Sequence, residues 1–242
     1  MTWAQRKVRT VHSPHRSVLQ NHAAMPVVGV PGIQPSAPVC AALLLIDVNG
    51  DGIYNSLTNV YGGVNFDLNS DGVAERVAWT AAGSDDAFLV LDRNGNGKID
   101  NGAELFGSAT PQPPPRTDRP GRFLDRPNGF LALAQFDKPE NGGDDNGLLN
   151  NRDAMFSSLR LWQDTNHNGI SEPDELHTLA SLGIISIEVA YEQWTGKDKR
   201  GNWYRYRALV VKEEGGERVE RWAHDVHLVS SKWENNGGSS QR

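Results

Sequence analysis

From Asp164 to Glu175 the chain reads Asp164-Thr-Asn166-His-Asn168-Gly169-Ile170-Ser-Glu172-Pro-Asp-Glu175. Oxygen-bearing side chains fall at loop positions 1, 3, 5 and 9, a glycine at 6 and a glutamate at 12. That is the spacing of the twelve-residue EF-hand calcium loop. Calcium is a hard cation that takes six to eight oxygens, so it selects Asp, Asn, Glu and backbone carbonyls over His or Cys. Asp164, Asn166, Asn168 and Glu172 would offer side-chain oxygens and Ile170 its carbonyl. Glu175 would close the site with both carboxylate oxygens. Asx-rich surface turns draw on the same residue types, but here all six constrained positions match.

Four further stretches repeat parts of the pattern. The segment Asp92-Arg-Asn94-Gly-Asn96-Gly97-Lys98-Ile99-Asp100 supplies Asp92, Asn94, Asn96, the Lys98 carbonyl and Asp100, with Glu104 one residue late as the closing acid. At Asp67-Leu-Asn69-Ser-Asp71-Gly72-Val73-Ala-Glu75 the ligands would be Asp67, Asn69, Asp71, the Val73 carbonyl and Glu75. Its continuation alternates like a strand, so completion needs a residue from elsewhere. The first copy, Asp47-Val-Asn49-Gly-Asp51-Gly52, offers Asp47, Asn49 and Asp51, with Asn55 at position 9 and Thr58 at 12. It lacks the closing carboxylate, and a plain tight turn fits it equally well. In the fourth copy, counting back from Asp153 as position 12 places Asn150 at 9, Gly147 at 6, Asn146 at 5 and Asp144 at 3. Its position-1 ligand has to cross an insertion, with Asp137 as the candidate.

The residues between these loops set the expected fold. Leu43–Ile46 and Ala87–Leu91 read as short buried strands, Gly129–Phe136 as a short helix, and Ile185–Tyr191 as a half-buried strand. Pro173–Leu182 is expected to be the helix leaving the Asp164 loop, ended by Gly183. Trp203–Lys212 and Arg218–Val229 flank Gly215-Gly216 as a hairpin. The fold class expected is therefore α+β: short strands and helices joined by EF-hand-like calcium loops, with a C-terminal β-hairpin. Residues 1–38 carry prolines without apolar periodicity and read as a disordered leader; 39–232 form the folded domain, with a proline-rich surface loop at 108–128; 233–242 read as a disordered tail.

With 242 residues the chain can bury a sizeable core. Its net charge of -6 argues against nucleic acid as a main partner. The longest apolar stretch, 39–46, is strand-sized, so no membrane span is expected. No signal peptide is visible, and the one cysteine, Cys40, assigns no redox compartment. Trp203, Tyr204, Tyr206 and Trp222 in the hairpin allow a glycan-binding face or ordinary cross-strand packing.

The runs 46–52, 66–72, 91–107 and 161–176 occur in this order in a known family. They resemble the calcium-dependent module of bacterial RTX proteins of the iron-regulated type and its stand-alone relatives, over roughly residues 43–192. The resemblance implies Ca2+ as cofactor, folding coupled to calcium, and an extracellular or cell-surface setting. In the family's self-processing members, calcium-induced folding cleaves an Asp-Pro bond, and the activated aspartyl group joins a lysine amine. This sequence has no Asp-Pro dipeptide, and the corresponding region reads Cys40-Ala41-Ala42-Leu43. The expectation is a calcium-binding interaction or scaffolding module with an unidentified protein or glycan partner. The alternatives are a self-processing, isopeptide-forming module and a carbohydrate-binding module.

Overall fold

The computed structural model describes residues 42–53, 56–114, 117–119, 122–123 and 126–231. The expected leader, the tail from 233 onward and Asn55 lie outside the described residues. In chain order the elements are β1 (Ala42–Ile46), β2 (Val64–Phe66), β3 (Glu75–Val77), β4 (Ala87–Val90), β5 (Thr117–Arg119), β6 (Arg122–Phe123), α1 (Gly129–Leu133), β7 (Leu148–Asn150), β8 (Arg160–Trp162), β9 (Leu176–Thr178), β10 (Ile184–Glu188), β11 (Glu192–Lys197), β12 (Trp203–Glu214) and β13 (Glu217–His227). Three single 3-10 turns stand at Pro139–Asn141, Phe156–Ser158 and Ala180–Leu182.

All five residues of β1 are buried because the strand has neighbours on every side. It pairs antiparallel with β13 along one edge and with β4 along the other. It thus sits mid-path in a sheet ordered β7-β10-β12-β13-β1-β4-β8-β9, with β11 added alongside β12. Side chains alternate across a strand, so Leu44 and Ile46 enter one apolar cluster with Phe106, Phe130, Leu161 and Val210. Leu43 and Leu45 enter a second with Phe66, Trp79, Phe88, Trp162 and Val226. Covering both faces explains an unbroken apolar run in an antiparallel sheet, where one face is commonly wet.

The C-terminal hairpin follows the sequence reading. β12 and β13 pair from Trp203 opposite His227 to Glu214 opposite Glu217. Gly215 and Gly216 turn between them at φ of 61° and 86°, a conformation open to glycine but costly for residues with a Cβ. The helix at 129 also forms, over Gly129–Leu133, capped by the Asn128 side chain accepting from the Leu131 N–H. A Cβ at Gly129 would lie 2.3 Å from Leu44, so only glycine lets α1 settle onto β1. Within the expected proline-rich loop, β5 and β6 pair with each other.

The expected α+β class is overturned: the fold is mostly β, built on a curled antiparallel half-barrel sheet. Among the described residues α1 is the one α-helix. The main error lies at 173–182, expected to be the helix leaving the Asp164 loop. There Leu176–Thr178 form β9, paired residue for residue with β8, Trp162 opposite Leu176 and Arg160 opposite Thr178. Gly183 ends this stretch in the left-handed conformation. Forming an isolated helix of about ten residues is unfavourable, whereas pairing with an already buried strand adds ladder bonds at once. The loops are therefore framed by strands and turns, not by helices as in an EF-hand.

Candidate metal centre

The Asp164 loop leaves β8 and returns in β9, so its two ends are fixed side by side. Asp164 and Glu175, the first and last acids, are both buried. Asp164 accepts from the N–H groups of Asn168 (3.0 Å) and Gly169 (2.8 Å). Glu175 accepts from the N–H of Thr165 (2.9 Å) and Asn166 (3.4 Å). Gly169 turns at φ 73°, the left-handed region expected of position 6. The side-chain amides of Asn166 and Asn168 meet the Glu172 carboxylate at 3.3 and 2.8 Å. Positions 3, 5 and 9 thus converge, and a half-turn of either amide exchanges its NH2 for its carbonyl oxygen. Ile170 is exposed at the rim.

Two tryptophans that the sequence reading did not single out as site residues hold this loop from beneath. The Trp79 indole N–H donates to Asp164 at 2.8 Å and that of Trp162 to Glu175 at 3.3 Å. Their rings pack at 5.4 Å between centroids and contact Phe66 and Phe88. Such outer hydrogen bonds fix a ligating carboxylate's orientation. His167 fastens the loop's outer turn, its ring nitrogens lying 2.5 Å from the Thr80 carbonyl and 2.6 Å from that of Gly62. Burial first, then a hydrogen bond to Glu172 and the nearby charge of Asp164, pushes Glu175 above the usual carboxylate range. Asn168 first, with lesser help, holds Glu172 below it.

The same backbone pattern recurs in the other loops. Asp92 accepts from Asn96 (3.2 Å) and Gly97 (2.8 Å), Asp67 from Asp71 (3.0 Å) and Gly72 (2.8 Å), and Asp47 from Gly50 (2.7 Å) and Gly52 (3.1 Å). In the Asp92 loop, Asn94 and Asn96 donate to Asp100 at 3.0 and 2.7 Å, as positions 3 and 5 do to position 9 in the Asp164 loop. Those two bonds hold Asp100 below its ordinary range. Despite the extra residue before it, Glu104 is buried and accepts from the backbone N–H groups of Arg93 (3.0 Å) and Asp100 (2.7 Å). Lys98 and Val73 are exposed. Asn69 and Asp71 bond to each other at 3.0 Å, and Asp67, Asp71 and Glu75 bring carboxylate oxygens within 4.8 Å of one another.

In the fourth loop Asp137 accepts from the N–H groups of Asn146 (3.2 Å) and Gly147 (2.8 Å) across the insertion. Asp153 accepts from the N–H groups of Asp144 (3.3 Å) and Asn150 (2.7 Å), positions 3 and 9, where Glu104 takes those of positions 2 and 9. Asp137, Asp144 and Asp153 also converge within 4.8 Å. Arg152 pairs with Asp144 at 3.6 Å at the exposed edge.

Three loops are knitted together. The Ile99 N–H donates to the Ser171 hydroxyl at 2.7 Å, joining position 8 of the Asp92 loop to position 8 of the Asp164 loop. Gly102 donates to the Asp67 carbonyl at 2.8 Å, and Ser70 bonds Asn101 and Ala103 at 3.0 and 2.8 Å. The Asp47 loop stands apart, beside Asp85 and Asp86. Burial first, aided by the charges of Asp85, Asp47 and Asp51, pushes Asp86 up to about 7. Asp47 is raised as well, by burial first. The donors throughout are carboxylates, amides and backbone carbonyls, which fits a hard divalent cation and not a thiophilic one.

The hairpin aromatics are largely engaged. Tyr204 is buried, and the Arg207 guanidinium lies 3.9 Å from the ring centroids of both Trp194 and Trp222. Trp203 is exposed, with the Lys197 ammonium 5.2 Å from its ring centroid. Nearby on β13, burial raises Asp225 to about 7 and lowers His224 to about 4.

A mostly β module carrying five Asx-rich loops is thus the class that fold and site define. The SPM domain family model matches residues 44–228, and the chain belongs to that family. It is similar to the iron-regulated protein FrpA of Neisseria meningitidis serogroup C, 39% identical over 172 residues. That match covers 71% of this chain and 14% of FrpA, so the chain spans a small part of that relative's length. Among the described residues, no helix is long and apolar enough to cross a membrane.

Proposed function

We propose that this chain is a calcium-binding module of a secreted or surface-exposed bacterial protein, folded by Ca2+ and serving interaction or scaffolding. The observation that carries this reading is the repetition of one geometry in loops of unequal length. In each, an aspartate gathers the loop's N–H groups, and in the Asp164, Asp92 and Asp137 loops a buried acid closes the far side. Packing such carboxylates within a few ångströms of each other is repulsive, and a divalent cation converts the repulsion into attraction. Calcium binding then contributes directly to folding. Membership of the SPM domain family and the likeness to an iron-regulated bacterial protein support the setting.

The ligands of the Asp164 loop would be Asp164, Asn166, Asn168, the Ile170 carbonyl, Glu172 and Glu175. Those of the Asp92 loop would be Asp92, Asn94, Asn96, Asp100 and Glu104. Calorimetric titration with calcium, read for stoichiometry, tests the reading. Several bound ions per chain are expected, with magnesium competing weakly; no heat of binding at millimolar calcium would refute it.

A further inference from the structure

The Asp47 loop has Thr58 where a closing acid belongs, yet its position-3 N–H is not left to solvent. Asn49 donates to the carboxylate of Asp85 at 2.9 Å. Glu175 takes the position-3 N–H of its own loop, and Asp153 does so in the fourth. Asp85 therefore occupies the place of a position-12 acid, although it comes from the connection between β3 and β4. Gln163 donates to the Asp85 carbonyl and fixes that connection against the β8 end. Behind Asp85 lies Asp86, 1% exposed, with Oδ1 lacking any hydrogen-bond partner among the described residues. Its other oxygen has only the Ser84 hydroxyl at 3.3 Å. The Ser56 hydroxyl gives its proton to the Ile53 carbonyl at 2.9 Å.

Asp47, Asp85 and Asp86 each bring a carboxylate oxygen within 4.8 Å of the others. Lys212 and Arg221 reach this loop at the Val48 carbonyl, and both pair with Glu214. A buried carboxylate oxygen without a donor is costly, and two more carboxylates alongside raise the cost. A hard cation relieves both at once.

We propose that Asp85 and Asp86 complete the Asp47 loop as a discontinuous site for a hard divalent cation, the β3–β4 connection supplying the acid that the loop's own position 12 lacks. Asn49 and Asp51 of the same loop are exposed, and calcium is the cation the site's all-oxygen donor set suits. The inference rests on reading the loops as calcium sites and extends it to two residues outside any EF-hand spacing.

The test counts calcium ions bound to the full chain by native mass spectrometry, for the wild type and for the double variant Asp85→Asn/Asp86→Asn. One ion fewer in the variant, with the remaining sites filling at unchanged midpoints, is the expected result. Equal counts would overturn this inference and leave the proposed function standing. A wild type that binds no calcium would overturn both. Should the variant fail to fold, wild-type crystals grown in calcium give the answer. An anomalous peak between Asp47, Asp85 and Asp86 supports the site, and its absence, with peaks at the other loops, removes it.

Discussion

The Asp164 loop and the Asp47 loop begin alike and are completed differently. The first is contiguous: its closing Glu175 lies on the same hairpin, and β8 and β9 pair beneath it. The second stops after Gly52 and borrows Asp85 and Asp86 from a connection more than thirty residues downstream. The contiguous loop has two indole donors beneath its acids, whereas Asp86 has a lone hydroxyl. A loop that carries its own closing acid is largely preorganised by local chain geometry. One that borrows the acid gathers its ligands only when distant strands are already packed. The Asp164 loop should therefore bind more tightly and form earlier than the Asp47 loop.

The sharpest break in that comparison comes from Asp164→Ala. Losing a charged ligand that also anchors two backbone N–H groups and an indole should weaken calcium binding at that loop by about a hundredfold or more. Glu175→Gln should follow closely. Calcium titration of each variant, followed by tryptophan fluorescence, measures the loss. Trp79→Phe keeps the ring in its aromatic cluster but removes the donor to Asp164. A loss of about tenfold is expected, at the low end for outer-shell partners of a metal ligand. The same two indoles should sensitise terbium bound at the Asp164 loop, and loss of that emission in Asp164→Ala gives an independent reading.

Ser171→Ala is expected to have a smaller effect. It strips the Ile99 N–H of its acceptor, costing about 1 kcal/mol, and should loosen the coupling between the Asp92 and Asp164 loops. A shallower calcium-binding curve with little change in the first midpoint is the expected signature.

The pH dependence in chelator should be smaller still. Asp86 and Asp225 sit at about 7 when folded, well above their ordinary 3.8, so the folded chain binds protons that the unfolded chain releases. Their contribution is full at low pH and is lost as pH rises towards and through 7. His224, lowered to about 4, acts oppositely between its folded value and 6.5. With two acids against one histidine, the folded fraction in chelator should rise as pH falls from about 8 to about 5. Circular dichroism across that range checks it.

Much of the scaffold was legible in the chain. Apolar runs gave β1 and β4, the paired glycines gave the β12–β13 turn, and the Asx-Gly spacing pointed to the five acidic loops, though not to the turn in which Asp198 takes the N–H groups of Arg200 and Asn202. The helix expected after the Asp164 loop was not, because Leu176–Thr178 becomes a strand through a pairing with β8 that no local window contains. The Trp79 donor was hidden for the same reason, lying 85 residues from Asp164. Asp85 and Asp86 carry no loop spacing of their own, so only the folded sheet brings them to Asp47. Asp137 and the count back from Asp153 could be named in advance, but the bonds that carry Asp137 across the insertion to Asn146 and Gly147 could not.

On the proposed reading, oxygen-rich loops holding divalent cations keep this chain folded. Thermal melting of the purified chain by far-ultraviolet circular dichroism, in millimolar calcium and again in excess chelator, tests it most directly. A cooperative transition is expected in calcium, with a much lower midpoint, or no transition at all, in chelator. Superimposable melts in the two conditions would contradict it.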